Sequence, residues 1–102
     1  MGNWDYGVSA QRKDSNGVIT AIKVHAFTAD DTVDSGAEWT KSQGVSAIDD
    51  RGARMCTMLM DSSSGKWNIE ARIRVVEGSH GKYLRSDADD TPRDNLGNLP
   101  SF

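Results

Sequence analysis

The chain has 102 residues, one cysteine and a formal net charge of −3, from 12 basic and 15 acidic residues. This length predicts one domain with a single modest core. The acidic balance argues against a general nucleic-acid binder, and a lone cysteine excludes an intramolecular disulfide and a cysteine zinc site. The first residues lack the apolar run of a signal peptide and no stretch is long enough to span a membrane, so we expect a cytoplasmic protein.

Residues 4–27 predict a β-hairpin. In the first half, apolar and polar or small residues alternate from Trp4 to Gln11, as in a strand with one buried face. Residues 18–27 are rich in β-branched and aromatic side chains. The dipeptide Asn16-Gly17 lies between the two runs and suits a tight turn, because both residues tolerate positive φ.

Residues 28–52 predict an acidic loop followed by a short helix. The loop covers residues 28–38 and delivers Trp39 to the core. Thr40 and Gln43 have the spacing of a capping box, and Gly52 is a plausible C-terminal cap, so the helix should have about three turns. Gly44 lowers the intrinsic stability of this helix by up to ~1 kcal/mol, so the helix should need packing against a sheet.

Residues 54–85 predict three further strands, at 54–61, 67–76 and 83–85. The central one alternates apolar residues with Asn, Glu and Arg, which indicates one core face and one solvated face. The prediction is an α+β fold in β-β-α-β-β order, with a mainly antiparallel sheet of four or five strands and one short helix on one face. The expected buried set is Trp67, Ile69, Ile73 and Val75 with Ile22, Val24, Trp39, Val45 and Ile48. Leu96 and Leu99 in the polar tail should cover an open edge or end of the core.

Several short motifs resemble a small bacterial family of uncharacterised proteins. The matching segments are Asp14-Ser15-Asn16-Gly17-Val18-Ile19, Trp39-Thr40, Tyr83-Leu84-Arg85-Ser86 and Asp94-Asn95-Leu96-Gly97-Asn98-Leu99-Pro100. The third resembles a YLRT-like strand with Ser86 in place of Thr, and the last resembles a D-N-L-x-N-L-P ending. The resemblance implies a fold but no activity, so no catalytic residue follows from it.

The acidic segment from Asp87 to Asn95 is a candidate site for a divalent metal or a small ligand. Clustered carboxylate and amide oxygens suit Ca²⁺ or Mg²⁺, but the glycine and closing glutamate of an EF-hand loop are missing. A solvated loop whose Asp and Asn side chains cap local backbone amides is the favoured interpretation. We therefore expect no cofactor and keep metal or ligand binding as an alternative.

Catalysis is the next hypothesis, because His25 and His80 could act as a base for Cys56 or for a serine. Cys56 lies in an apolar run, where a buried and inert thiol is the commoner outcome. No serine lies in a nucleophile-elbow motif. We expect a protein that is not an enzyme.

Charged surfaces remain as candidate partner sites. Arg72 and Arg74 should project from the polar face of the central strand, where they could anchor a protein partner. Trp67 is predicted on the opposite face, which weakens the alternative that these arginines bind single-stranded nucleic acid. The loop residues Asp30, Asp31 and Asp34 could present an acidic patch to a basic partner. The favoured hypothesis is a non-enzymatic module that acts through protein–protein interaction. A phage or mobile-element inhibitor of host defence is a narrower version.

Overall fold

The computed structural model describes residues 4–27, 33–61, 63–78, 81–86, 96 and 99–102. Within these ranges the chain forms six strands and one helix: β1 (Tyr6–Lys13), β2 (Ile19–Ala26), β3 (Ala37–Thr40), α1 (Lys41–Asp49), β4 (Met55–Asp61), β5 (Lys66–Gly78) and β6 (Gly81–Ser86). The strands form one sheet in the order β3-β2-β1-β4-β5-β6. Among the described residues, no helix is long and apolar enough to cross a membrane.

The predicted α+β class and the mainly antiparallel sheet are confirmed, since four of the five pairings between the described strands are antiparallel, but the sheet has six strands and is not purely antiparallel. The sheet is mixed, because β1 pairs with β4 in parallel, starting at Tyr6 opposite Met55. The chain leaves β3, passes through α1 and returns as β4, and such a helical crossover lets a later strand run parallel to an earlier one. The additional strand is β3, which lies within and just after the segment predicted as an acidic loop and pairs antiparallel with β2.

The predicted β1–β2 hairpin is confirmed, and its turn is stabilised by an aspartate. The Asp14 carboxylate accepts hydrogen bonds from the backbone N–H groups of Asn16 (2.8 Å) and Val18 (3.0 Å). Gly17 has a φ of 79°, which a residue with a Cβ atom rarely adopts. The turn leads directly into Ile19, which is fully buried.

The capping box at the start of α1 is also confirmed. The Thr40 hydroxyl accepts from the Gln43 N–H (3.2 Å), and the Gln43 side chain accepts from the Thr40 N–H (2.8 Å). The helix ends at Asp49 and has nine residues, so it is slightly shorter than the three turns predicted. Gly52 lies three residues beyond its end, with a φ of 67°. The close packing of α1 on the sheet explains why position 44 is a glycine, because a Cβ atom there would lie only 2.9 Å from the Ile22 side chain.

The main core lies between α1 and what we call the inner face of the sheet. Its buried members are Val8, Ile19, Ile22, Val24, Ala47, Met55, Ile73, Leu84, Leu96 and Leu99, with Trp39, Val45, Ile48 and Val75 packed against them. Gly44 of α1 lies close to both Ile22 on β2 and Leu84 on β6. These strands are far apart in the sheet order, so the sheet curls around the helix.

The prediction that Trp67 and Ile69 share this core is wrong, because β5 contains a bulge. Residues paired across a ladder share a face, and in β4 the alternating residues Cys56, Met58 and Met60 pair with Arg72, Ile69 and Trp67. Glu70 is the extra residue between two consecutive pairs. It transfers Trp67 and Ile69 to the outer face, opposite to Ile73, and both are only half-buried.

The outer face of β1 and β2 is covered by the β4–β5 hairpin. In a flat sheet β2 and β5 would lie about 14 Å apart, from three strand spacings. The ring centroids of His25 on β2 and Trp67 on β5 are nevertheless only 5.4 Å apart. A Cβ atom on Gly7 would lie 2.4 Å from the Met58 sulfur. The hairpin therefore bends back over the outer face, and Met58 is buried where it crosses Gly7.

The tail residues Leu96 and Leu99 are buried in the main core, at 1% and 6% exposure, as predicted. The Gln11 N–H donates to the Pro100 carbonyl (2.9 Å), and the Phe102 N–H donates to the Gln11 carbonyl (3.2 Å). These two bonds form a parallel bridge between Gln11 and Ser101. The end of the described chain therefore extends the sheet beside β1.

Candidate functional site

A concave surface at the junction of β1, β3 and the two ends of α1 is the strongest candidate site. Its first hollow has a volume of about 490 Å³, in the range of small-molecule and peptide pockets. The described lining residues are Trp39, Ser42, Gln43, Ser46 and Arg51. We call the whole surface the Arg51 groove, because Arg51 also lines the hollow beside it.

The second hollow of the Arg51 groove is smaller. It has a volume of about 390 Å³, and its described lining residues are Asp5, Tyr6, Ala26, Arg51 and Ala53. The Asp5 carboxylate in this hollow is already bound, because it accepts from the Arg54 backbone N–H (2.8 Å) and lies 3.6 Å from the Arg54 side chain. The Arg54 backbone N–H holds the pKa of Asp5 below its usual value.

An aromatic pair connects the two hollows. The Tyr6 and Trp39 rings meet edge to face, with centroids 4.9 Å apart and an interplanar angle of 65°. This is a preferred geometry for aromatic pairs. Tyr6 lines one hollow and Trp39 the other, and both rings also pack against the main core. The aromatic walls of the groove are therefore anchored in the main core.

The local sequence explains how the polar lining is presented. The Thr40 capping box fixes the first turn of α1 directly after Trp39. Ser42 and Ser46 are four residues apart, so they lie on the same side of the helix. The helix then ends, and Arg51 follows in the turn before Gly52.

Arg51 differs from Arg12 and Arg54 because its guanidinium has no partner among the described residues, and we call it uncommitted in this sense. Arg12 pairs with Glu38 (3.2 Å), and Arg54 pairs with Asp5. Arg51 is exposed and makes no hydrogen bond, ion pair or ring contact with any residue that the structure describes. Arginine and tryptophan are enriched among the residues that dominate protein interfaces.

A buried serine–histidine pair lies under the β4–β5 hairpin. The Ser9 Oγ is 2.7 Å from His25 Nε2, and His25 Nδ1 is 2.9 Å from the Asp34 carbonyl. A carbonyl only accepts, so Nδ1 carries a proton, and in the neutral imidazole Nε2 then accepts from the serine hydroxyl. This is the geometry of a nucleophile and its base. Ser9 and His25 are only 8% and 4% exposed, so a substrate would have little access to them. Trp67 of β5 packs against the imidazole, so the pair has a structural role where the β4–β5 hairpin contacts β1 and β2.

Cys56 has the properties of an inert thiol. It is fully buried, and its sulfur lies 3.8 Å from the Tyr6 carbonyl. Burial raises the pKa of the thiol to about 12. The thiolate is the reactive form, so Cys56 stays protonated and unreactive at neutral pH. The expectation of a buried cysteine is confirmed, and His80 lies outside the described residues.

The predicted acidic patch is only partly described. Asp30 and Asp31 lie outside the described residues, and so does the whole segment from Asp87 to Asn95. The Asp34 carboxylate accepts from the N–H groups of Gly36 (2.9 Å) and Ala26 (3.2 Å), so it stabilises the turn before β3. Within the described part of the chain, no cluster of three or more His, Cys, Asp or Glu side chains could hold a metal ion.

The predicted basic residues lie on the outer face of β5. Arg72 is exposed and pairs in register with Cys56, while Arg74 is opposite Arg85 on β6. Because of the bulge, Trp67 shares this face with the arginines instead of lying on the opposite one. The premise that weakened the nucleic-acid alternative is therefore wrong.

Sequence reasoning missed the Arg51 groove. It assigned Trp39 only to the core and Tyr6 only to a strand face, and it gave Arg51 no role. One available signal was the capping box, which places Ser42 and Ser46 on one side of a helix that starts directly after a tryptophan. The approach of β1 to the end of α1 depends on the parallel β1–β4 pairing, which no local pattern predicts.

In its described residues the chain is a small α+β protein with one curled mixed sheet, one short helix and a concave surface of aromatic and polar side chains. The chain belongs to the family described as "Protein of unknown function (DUF3892)", whose family model matches residues 7–100. The predicted membership of an uncharacterised family is thereby confirmed. No curated protein and no solved structure matched the chain.

Proposed function

We propose that this protein is a small non-enzymatic binding module that acts through protein–protein interaction, with the Arg51 groove as its contact surface. The observation that carries the proposal is the uncommitted guanidinium of Arg51 between two hollows walled by Tyr6 and Trp39. Anchors of this kind, held rigidly in a concave surface, supply most of the binding free energy at protein interfaces. The proposal places the module in the cytoplasm, where a free thiol such as Cys56 stays reduced.

The direct test is capture of a partner by the immobilised protein from a lysate of its source cells. Arg51→Glu reverses the exposed charge in the groove, and Arg72→Glu makes the same change on the outer face of β5 as a matched control. Both variants should keep the wild-type melting temperature, because both side chains are exposed. We expect the wild type and Arg72→Glu to retain the same partner and Arg51→Glu to lose it.

Several outcomes would contradict the proposal. Equal capture by Arg51→Glu and the wild type would remove the groove from the interface. Loss of capture on charge reversal at Asp30, Asp31 and Asp34, with Arg51→Glu still active, would assign the interface to the acidic loop. Bait that retains nothing above the level of an unrelated folded protein would contradict protein binding itself. Inhibition of host defence stays a prediction, because no observation on the groove bears on it.

A second candidate function is binding of single-stranded nucleic acid on the outer face of β5. The specific observation in its favour is that the bulge at Glu70 places Trp67 on the same face as Arg72 and Arg74. Aromatic rings that stack on bases, next to cations that contact phosphates, are the usual elements of such a surface. The net charge of −3 and the packing of Trp67 against His25 disfavour it, so we rank it second.

Fluorescence anisotropy with a labelled single-stranded oligonucleotide tests this candidate. Contacts between arginines and the phosphate backbone should make the affinity fall steeply as the salt concentration rises. Arg72→Gln should reduce the slope of log affinity against log salt concentration by an amount that corresponds to roughly one phosphate contact. Arg51→Gln is the matched control and should bind like the wild type. Absence of binding at low salt would eliminate the candidate.

A further inference from the structure

We infer that the Arg51 groove binds an acidic side chain of an extended partner peptide, with an apolar side chain two residues away in the second hollow. This inference rests on the proposed function and specifies the chemistry of the partner. It is carried by three features of the groove: hydrogen-bond donors and no carboxylate among the described lining residues of the first hollow, a guanidinium at the junction, and a second hollow lined in part by Tyr6, Ala26 and Ala53.

The first hollow offers donors to a ligand. Ser42 and Ser46 supply hydroxyl groups, and Arg51 supplies a planar set of N–H groups. The Gln43 oxygen is already bound to the Thr40 N–H, so the amide group left for a ligand is its NH₂. None of the described lining residues of this hollow is acidic. A carboxylate is the acceptor that matches a guanidinium with flanking hydroxyl and amide donors.

Nearby carboxylates do not satisfy Arg51. Asp49 at the end of α1 pairs with Lys82 of β6. Asp5 in the second hollow is held by Arg54, through both its backbone and its side chain. The adjacent Asp50 is not among the lining residues of either hollow. No carboxylate in the described ranges therefore occupies the guanidinium, and the inference assigns it to an external one.

The second hollow offers contacts to an apolar side chain beside its charged groups. Tyr6, Ala26 and Ala53 line it together with Arg51 and with Asp5, whose carboxylate is held by Arg54. In an extended peptide, side chains two residues apart point in the same direction and are separated by roughly 7 Å. Since Arg51 lines both hollows, the inference places the acidic residue in the first hollow and an apolar residue at this spacing in the second.

The test uses an end-blocked pentapeptide, Leu-Ala-Glu-Ala-Leu, titrated into the full-length protein labelled with ¹⁵N. The leucines flank the acid at the required spacing on both sides, so either chain direction is sampled. A second peptide with Gln in place of Glu isolates the charge. The readout is the indole N–H cross-peak of Trp39, which lies in the wall of the first hollow.

We expect the Trp39 cross-peak to shift in a saturable manner, with the Glu peptide binding at least threefold more tightly than the Gln peptide. Arg51→Gln should reduce the affinity for the Glu peptide to that for the Gln peptide. Arg72→Gln, an equivalent change on the outer face of β5, should leave both affinities unchanged.

Other results would overturn the inference. The inference is wrong if the two peptides bind equally or if the Trp39 cross-peak does not shift. It is also wrong if Arg51→Gln still prefers the Glu peptide. An Arg51-dependent shift with inorganic phosphate but not with the Glu peptide would assign the groove to a phosphorylated ligand. If the peptides fail while partner capture still requires Arg51, only the acidic chemistry is wrong. If capture also ignores Arg51, the proposed function fails with it.

Discussion

The contact between Gly7 and Met58 allows a quantitative test of how the β4–β5 hairpin covers the outer face. An added Cβ atom on Gly7 would lie 2.4 Å from the Met58 sulfur, 3.0 Å from its Cε and 3.2 Å from its Cγ. Met58 is fully buried, so its side chain has little room to move aside. Gly7→Ala should therefore behave as an overpacking substitution and lower the free energy of unfolding by about 1–3 kcal/mol.

A double-mutant cycle separates this clash from a general effect of alanine in β1. Met58→Ala alone removes a buried side chain and should cost about 2–5 kcal/mol. In the double variant the space left by Met58 accommodates the new methyl group, so the overpacking cost disappears. We expect the double variant to be no less stable than Met58→Ala alone, which corresponds to a coupling of about 1–3 kcal/mol.

Urea unfolding of the four proteins gives the required free energies, provided that the transitions are two-state and have similar m-values. The near-ultraviolet circular dichroism of each variant serves as a control for the native fold. Additive effects, within about 0.5 kcal/mol, would mean that Gly7 and Met58 are not in contact. That result would refute the packing of the hairpin over β1.

Three further predictions concern the main core, the tail and the response to acid. Ile73→Ala should cost ~2–5 kcal/mol, because Ile73 is buried in the core, and an unchanged denaturant midpoint would place it on the wrong face. Deletion of residues 94–102 should clearly lower the melting temperature, because it removes Leu96 and Leu99 from the core; an unchanged value would exclude a structural role for the tail. Asp5 has a depressed pKa, so its ionised form stabilises the fold above the unfolded-state pKa of about 4, and this contribution disappears as the pH falls through the lower folded-state value. Denaturant midpoints from pH 7 to 2 should therefore fall more steeply for the wild type than for Asp5→Asn, and parallel curves would contradict the assigned role.

Local chemistry made the turns and the helix start predictable. Asn16-Gly17 and the Thr40–Gln43 capping box are short motifs whose hydrogen bonds form within a few residues, so a sequence pattern is enough to identify them. The burial of Ile73, Leu96 and Leu99 also followed from their apolar character. Gly44 indicated that the helix needs close packing, and the structure supplies the neighbouring side chain at Ile22.

The features that the sequence did not predict depend on partners far away in the chain. In the sequence, apolar and polar residues alternate without interruption from Trp67 to Ile73. Glu70 is the bulged residue, but it is polar like Asn68 and Arg72, so the pattern does not reveal that the register changes there. A bulge is visible only in the pairing with β4. The short strand β3 was hidden because its four residues are preceded by an acidic, turn-prone segment. The Arg51 groove required both the parallel pairing of β1 and the position of β3, so it could not be derived from local patterns.

One edge of β1 pairs first with β4 and then with the tail, and this arrangement affects how quickly the chain can fold. That edge pairs with β4 from Tyr6 to Val8 and then with the tail at Ser101, so its partners come from distant parts of the chain. Contacts of such long range slow folding, typically to milliseconds or seconds, because a large loop must close before any contact forms. Until then β1 exposes unpaired backbone groups that can pair with another molecule. Refolding should therefore lose yield as protein concentration rises, and the tail residues that complete the edge should limit that loss.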